Sequence, residues 1–120
     1  MEGLEILEYT GVDYKPVVYF EGWRVAYLNY SERFDPQKIN KLERHMETDE
    51  VFVLLEGRAT LLIGENAEEV PMEKNKTYNV KKGVWHTIAT SRDAHVLIVE
   101  NADTDDDNSE FLEKEVRVEL

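Results

Sequence analysis

The sequence predicts an all-β protein, a sandwich or barrel of many short strands, on three observations. Its apolar runs are short, they are rich in Val, Ile, Tyr and Thr, and turn-forming residues interrupt them at close intervals. Residues 17–20 are followed by Glu21-Gly22 and then by the run 23–28, and two runs separated by a Gly-containing pair predict a hairpin. Residues 51–55, the break at Glu56-Gly57, residues 59–63 and Gly64-Glu65-Asn66 predict two further strands with their turns. Residues 78–80, residues 84–89 after Gly83, and residues 95–99 complete the series.

Only two stretches carry helical signals. Asp35-Pro36-Gln37-Lys38-Ile39 offers Asp at an N-cap and Pro at the first helical position, so one short turn is predicted there. Residues 109–115 are compatible with another, whereas residues 115–120 alternate as an edge strand would. The terminal strand is the preferred reading.

Val51, Val53 and Leu55 alternate with Phe52 and Leu54, so both faces of that strand are apolar, and residues 95–99 repeat the pattern. A half-exposed antiparallel strand shows polar residues on one face. Two-sided burial in so small a chain predicts stacked sheets and a partner subunit over one outer face, hence a homodimer.

At 120 residues the chain is expected to be a single domain, with its motif-bearing core at about 28–100. There is no cysteine, which excludes disulfides, thiolate metal sites and cysteine nucleophiles. Fourteen Lys+Arg against 26 Asp+Glu give a net charge of −12, a surface that repels nucleic acid and anionic membranes. No apolar run approaches the ~20 residues that span a bilayer. The first ten residues carry acid where a secretory signal carries base, so a cytoplasmic location is expected. Residues 100–110 hold six acidic residues and no basic one, which predicts a solvated loop. Asp103 to Asp107 lack the glycine of a calcium loop.

Two segments carry the chemistry. The first is Glu43-Arg44-His45-Met46-Glu47-Thr48-Asp49-Glu50, running into residues 51–57. The second is Lys81-Lys82-Gly83-Val84-Trp85-His86. Together, in this order, they resemble the two motifs of a small single-domain cupin. The first cupin motif has two His one residue apart, then a Glu three or four residues on, then a Gly after six more. Here Glu43 stands at the first His position, His45 at the second, Glu50 follows after four residues and Gly57 after six. In the second motif Lys81 replaces a Pro, while Gly83 and His86 are in place.

The resemblance covers residues 28–100 and implies a double-stranded β-helix, or jelly-roll barrel. It also implies a divalent metal held by His45, Glu50 and His86, with Glu43 as a fourth ligand where it turns inward. Dioxygenases, isomerases, epimerases, lyases and non-catalytic binders all share this family, so fold does not choose the reaction.

Spacing separately assigns side chains to faces within each strand. In a strand, residues i and i+2 share a face, so Glu43 and His45 point the same way. If Glu50 points inward, so do Phe52 and Leu54, and Ile88 follows His86 on its face. Two imidazoles and a carboxylate, if they converge in the barrel the resemblance implies, would form a facial triad with open positions, suited to Fe, Mn, Ni or Zn. Two carboxylates in place of one favour a harder divalent ion. Phe52, Leu54 and Ile88 are the expected apolar floor of a substrate pocket, with Tyr27 and Tyr78 as candidate hydroxyls.

Trp85 has the opposite parity to His86 and should face away. His95 matches no motif position and is read as structural or exposed. Arg24 is read as a snorkelling surface residue in preference to an anchor for an anionic substrate. The expected function is divalent-metal binding with action on a small molecule in the barrel. The alternatives are a non-catalytic carbohydrate or metabolite sensor, and a barrel whose polar residues are purely structural.

Overall fold

Ten strands form two five-stranded antiparallel sheets in the computed structural model, which describes residues 2–120. The strands are β1 (Tyr14–Phe20), β2 (Trp23–Asn29), β3 (Ile39–His45), β4 (Glu50–Glu56) and β5 (Ala59–Ile63). They continue with β6 (Glu68–Pro71), β7 (Thr77–Val80), β8 (His86–Thr90), β9 (His95–Asn101) and β10 (Ser109–Val116). The first sheet has the order β1-β2-β9-β4-β7 and the second β10-β3-β8-β5-β6, a jelly roll. No helix among the described residues is long and apolar enough to cross a membrane.

Alternation builds the interior. On β4 the side chains of Glu50, Phe52 and Leu54 are buried, and on β9 those of Val96, Ile98 and Glu100. With Ala26, Leu28, Leu61 and Ile88 the apolar members form the core between the sheets. A second cluster of Ile39, Leu42, Leu62, Ala89 and Val118 covers the other face of the second sheet. There the chain's own C-terminal segment accounts for two-sided burial, tied down by the Val118 N–H donating to the Pro36 carbonyl at 2.9 Å. On the outer face of the first sheet Val25, Tyr27, Val51, Val53, Leu97 and Val99 lie side by side across β2, β9 and β4, all half-buried rather than buried.

Glycine is required at the turn between β4 and β5. Gly57 has φ +75°, and a Cβ there would stand 2.7 Å from the Ala94 backbone.

Three local expectations are corrected. The predicted turn at residues 35–39 is not helical, because the Asp35 carboxylate accepts the Gln37 N–H at 2.9 Å in an Asx turn; the 3-10 turn lies earlier, at Glu32–Phe34. The C-terminal strand is Ser109–Val116, since its partner β3 begins at Ile39, opposite Val116. Residues 100–110 are not one solvated loop: Glu100 lies within β9 and is buried, and Asp105 caps a 3-10 turn at Asp106–Asn108.

Candidate metal centre

Three strands deliver the site. β3 ends with Glu43 and His45 on its inward face, β4 opens with Glu50, and β8 opens with His86. β3 pairs with β8 in a register that sets Glu43 directly opposite His86. Gly83, at φ +80°, turns the chain into β8 and donates its N–H to the His45 carbonyl at 2.7 Å, which binds the second motif to the first.

The four side chains meet. The Nε2 atoms of His45 and His86 lie 3.0 and 2.9 Å from the same oxygen, Glu50 Oε1. Glu43 Oε1 is 3.8 Å from His45 Nε2. Each of the four residues offers one ligand atom, and all these atoms lie within 4.8 Å of one another. His45, Glu50 and His86 are buried, and Glu43 is half-exposed.

The far side of each ring is also held. The His86 Nδ1–H donates to the Val84 carbonyl at 2.9 Å, which reserves Nε2 for the cavity. His45 Nδ1 meets Ser109 Oγ at 2.8 Å, where β10 pairs with β3. Burial acts to raise the Glu50 carboxyl, but the hydrogen bonds from the two imidazoles outweigh it and lower the group. Burial likewise acts to lower both imidazoles, and Glu50 outweighs it, so each is raised. Two imidazoles and a carboxylate gathered at one point are groups that a divalent cation binds in competition with protons.

A second polar layer stands beside the four. Glu100 Oε1 accepts from the Tyr14 hydroxyl at 2.5 Å and from Arg24 Nη2 at 2.8 Å, while Arg24 Nε donates to the Tyr14 oxygen at 2.9 Å. Glu100 Oε2 is buried without a hydrogen-bond partner, 4.0 Å from His45 Nε2. Burial raises the Glu100 carboxyl, and the charge of Glu50 adds to the effect. Burial, followed by Glu100, holds the Tyr14 hydroxyl well above its ordinary range. At the mouth, Arg33 pairs with Asp13.

These groups line a cavity of about 200 Å³ whose apolar walls include Leu28, Phe34, Phe52, Ile88 and Ile98. That is below the roughly 300–1,000 Å³ of drug-sized sites and suits a small molecule.

Glu43, His45, Glu50 and His86 therefore come together, and Phe52 and Ile88 line the same cavity. The other expected pocket residues lie elsewhere. Leu54 is buried in the core between the sheets and is not among the residues that line the cavity. Tyr27 shares the outward parity of Val25 and stacks on His95, with centroids 4.7 Å apart. The Tyr78 hydroxyl accepts the Glu73 N–H at 2.8 Å, beside a separate depression with Leu61 and Val70. Trp85 faces away, beneath the Arg44 guanidinium at 4.3 Å. Arg24 is no snorkelling surface residue, because its inward parity with Ala26 and Leu28 takes it to Glu100.

Sequence reasoning missed Tyr14, Glu100 and Ser109. For Glu100 a signal existed, since it continues the inward series Val96, Ile98.

Residues 30–100 match the family described as the cupin domain. No curated protein matches the chain. Among solved structures, a cupin-2 domain containing protein from Shewanella frigidimarina is similar with a TM-score of 0.60 at 16% identity, over 78% of this chain and 84% of that one. An RmlC-like cupin protein from Desulfovibrio desulfuricans gives 0.58 at 17%, over 84% and 96%. PAC13 of Streptomyces, solved with uridine, gives 0.63 at 8%, over 92% and 85%. At these identities the likeness speaks for the fold. The family match spans more than half of the chain and takes in all four clustered residues: the chain belongs to the cupin family.

Proposed function

We propose that this chain binds a divalent metal ion and receives a small molecule beside it in the barrel. His45, Glu50 and His86 are the ligands, and Glu43 is the fourth. The observation that carries this reading is the convergence of the two Nε2 atoms on Glu50 Oε1. The donor set, two imidazoles and two carboxylates, fits a borderline to hard ion such as Fe, Mn, Ni or Zn, with Mn and Fe favoured by the oxygen share. A bound ion supplies Lewis-acid or oxygen-activating chemistry. The chain's own residues hold the imidazoles by their Nδ1 atoms, present Phe52 and Ile88 as an apolar floor, and admit only a small molecule.

Elemental analysis of protein purified without chelator or affinity tag tests the reading. It predicts close to one divalent ion per chain after loading; under ~0.1 would sink it.

The chain is also proposed to form a homodimer through the outer face of the first sheet. Val25, Tyr27, Val51, Val53, Leu97 and Val99 make a contiguous apolar patch there, and burying it against a second copy removes it from water.

A further inference from the structure

Glu100 belongs to neither motif, yet its carboxylate is buried and held by two donors. Oε1 is fixed by two donors, Tyr14 and Arg24, which are themselves hydrogen-bonded to each other. Oε2 is left buried and unpartnered, 4.0 Å from His45 Nε2, in a residue that lines the cavity. A buried carboxylate oxygen without a partner is costly, and such a group persists where something else satisfies it.

The four clustered residues lie within 4.8 Å of one another, and Glu100 is not one of them. An ion held by the four would stand beside Glu100, whose Oε2 is 4.0 Å from His45 Nε2. A molecule completing the coordination of such an ion from the cavity, at its open position, would come within reach of Oε2.

We propose that Glu100 is a specificity-determining acceptor facing that open position: it favours a ligand carrying a hydrogen to donate, a hydroxyl or an amine, and disfavours a proton-free anion. The inference rests on the metal-binding reading above. Tyr14 and Arg24 are its positioning residues, because they occupy the other oxygen and stop the carboxylate from swinging away. A bare anion at the open position meets a second negative charge at close range, whereas a hydroxyl or amine gives the hydrogen bond that Oε2 otherwise lacks.

The test uses the full chain loaded with Co(II), with azide as the proton-free anionic probe and visible absorption as the readout. Glu100→Gln keeps a carbonyl oxygen for Tyr14 and Arg24 but turns an amide N–H₂ toward the ion. It should bind Co(II) within about threefold of the parent, and azide at least about tenfold more tightly. Glu100→Asp, which withdraws the charge by one methylene, should tighten azide by a smaller factor and serves if the Gln variant does not fold.

Unchanged azide affinity in a folded, Co(II)-loaded variant overturns the proposal and leaves the metal site standing. A Co(II) affinity that falls tenfold or more also overturns it, by making Glu100 a ligand of the ion. If the parent chain takes up no Co(II), the metal-binding reading fails, and this one with it.

Discussion

Gly83 donates its backbone N–H to the carbonyl of His45 at 2.7 Å, from a backbone φ of +80°. One residue thus turns the chain into β8, which opens with His86, and fastens that turn to the strand that carries His45. A Cβ on Gly83 meets nothing within 4 Å, so an alanine there bears only the left-handed backbone penalty. Gly57 carries that penalty and also a steric clash with the Ala94 backbone.

Gly83→Ala should therefore cost about 1–2 kcal/mol, and Gly57→Ala about 3 kcal/mol or more. Urea unfolding checks the ranking. Gly83→Ala should also weaken metal binding, since it loosens the approach of His86 to His45, whereas any effect of Gly57→Ala on the metal should come only through global stability. Equal costs at the two positions would refute the clash.

Removal of either imidazole should abolish metal loading and leave a folded chain. His45→Ala and His86→Ala each strip one of the two partners from Glu50 Oε1, so each apo variant should be less stable than the parent by about 1–3 kcal/mol. Circular dichroism with a metal titration separates the two effects. A variant that keeps full metal affinity would remove that histidine from the ligand set.

Metal should stabilise the chain most at the pH where the apo cluster contributes least. Glu50 is lowered from the usual 4.5, so its contribution is present above that value and is lost as pH falls through the folded value. The imidazoles are raised from 6.5, so their contribution is complete below 6.5 and is lost as pH rises through the folded values. This cluster therefore stabilises the apo chain most between about pH 4.5 and 6.5. Metal displaces those protons, so the rise in melting temperature on adding Mn(II) should be larger at pH 8 than at pH 6. A metal-induced rise that shrinks with increasing pH would contradict the ligand assignment.

The apolar outer face should hold two chains together. Val99 sits at its centre, opposite Val25 on one side and Val51 on the other. Val99→Lys should convert a dimer to a monomer in analytical ultracentrifugation while leaving the far-UV spectrum unchanged. A parent chain that sediments as a monomer at micromolar concentration would remove the dimer.

How far the sequence reached is clearest from single residues. The parity of Glu43 and His45 follows from one strand's alternation, and so does that of Phe52 behind Glu50. Their meeting with His86 depends on the β3–β8 pairing, a contact between distant segments that no local pattern contains; motif resemblance supplied it. Glu100 was hidden by composition: it opens an acidic stretch, and charge density there outweighed the inward alternation of Val96 and Ile98. Tyr27 failed for the converse reason, because a polar hydroxyl drew attention although Ala26 and Leu28 already claimed the inward face. The alternation in the C-terminal segment continues to Val118, but pairing stops where β3 runs out.

Anomalous diffraction from crystals of the Mn(II)-loaded chain addresses the central claim most directly. The account predicts one strong peak inside the barrel, at coordination distance from His45 Nε2, His86 Nε2 and a Glu50 oxygen. A fully loaded crystal whose only peaks lie on the acidic surface, with the His45–Glu50–His86 contacts intact, would contradict it.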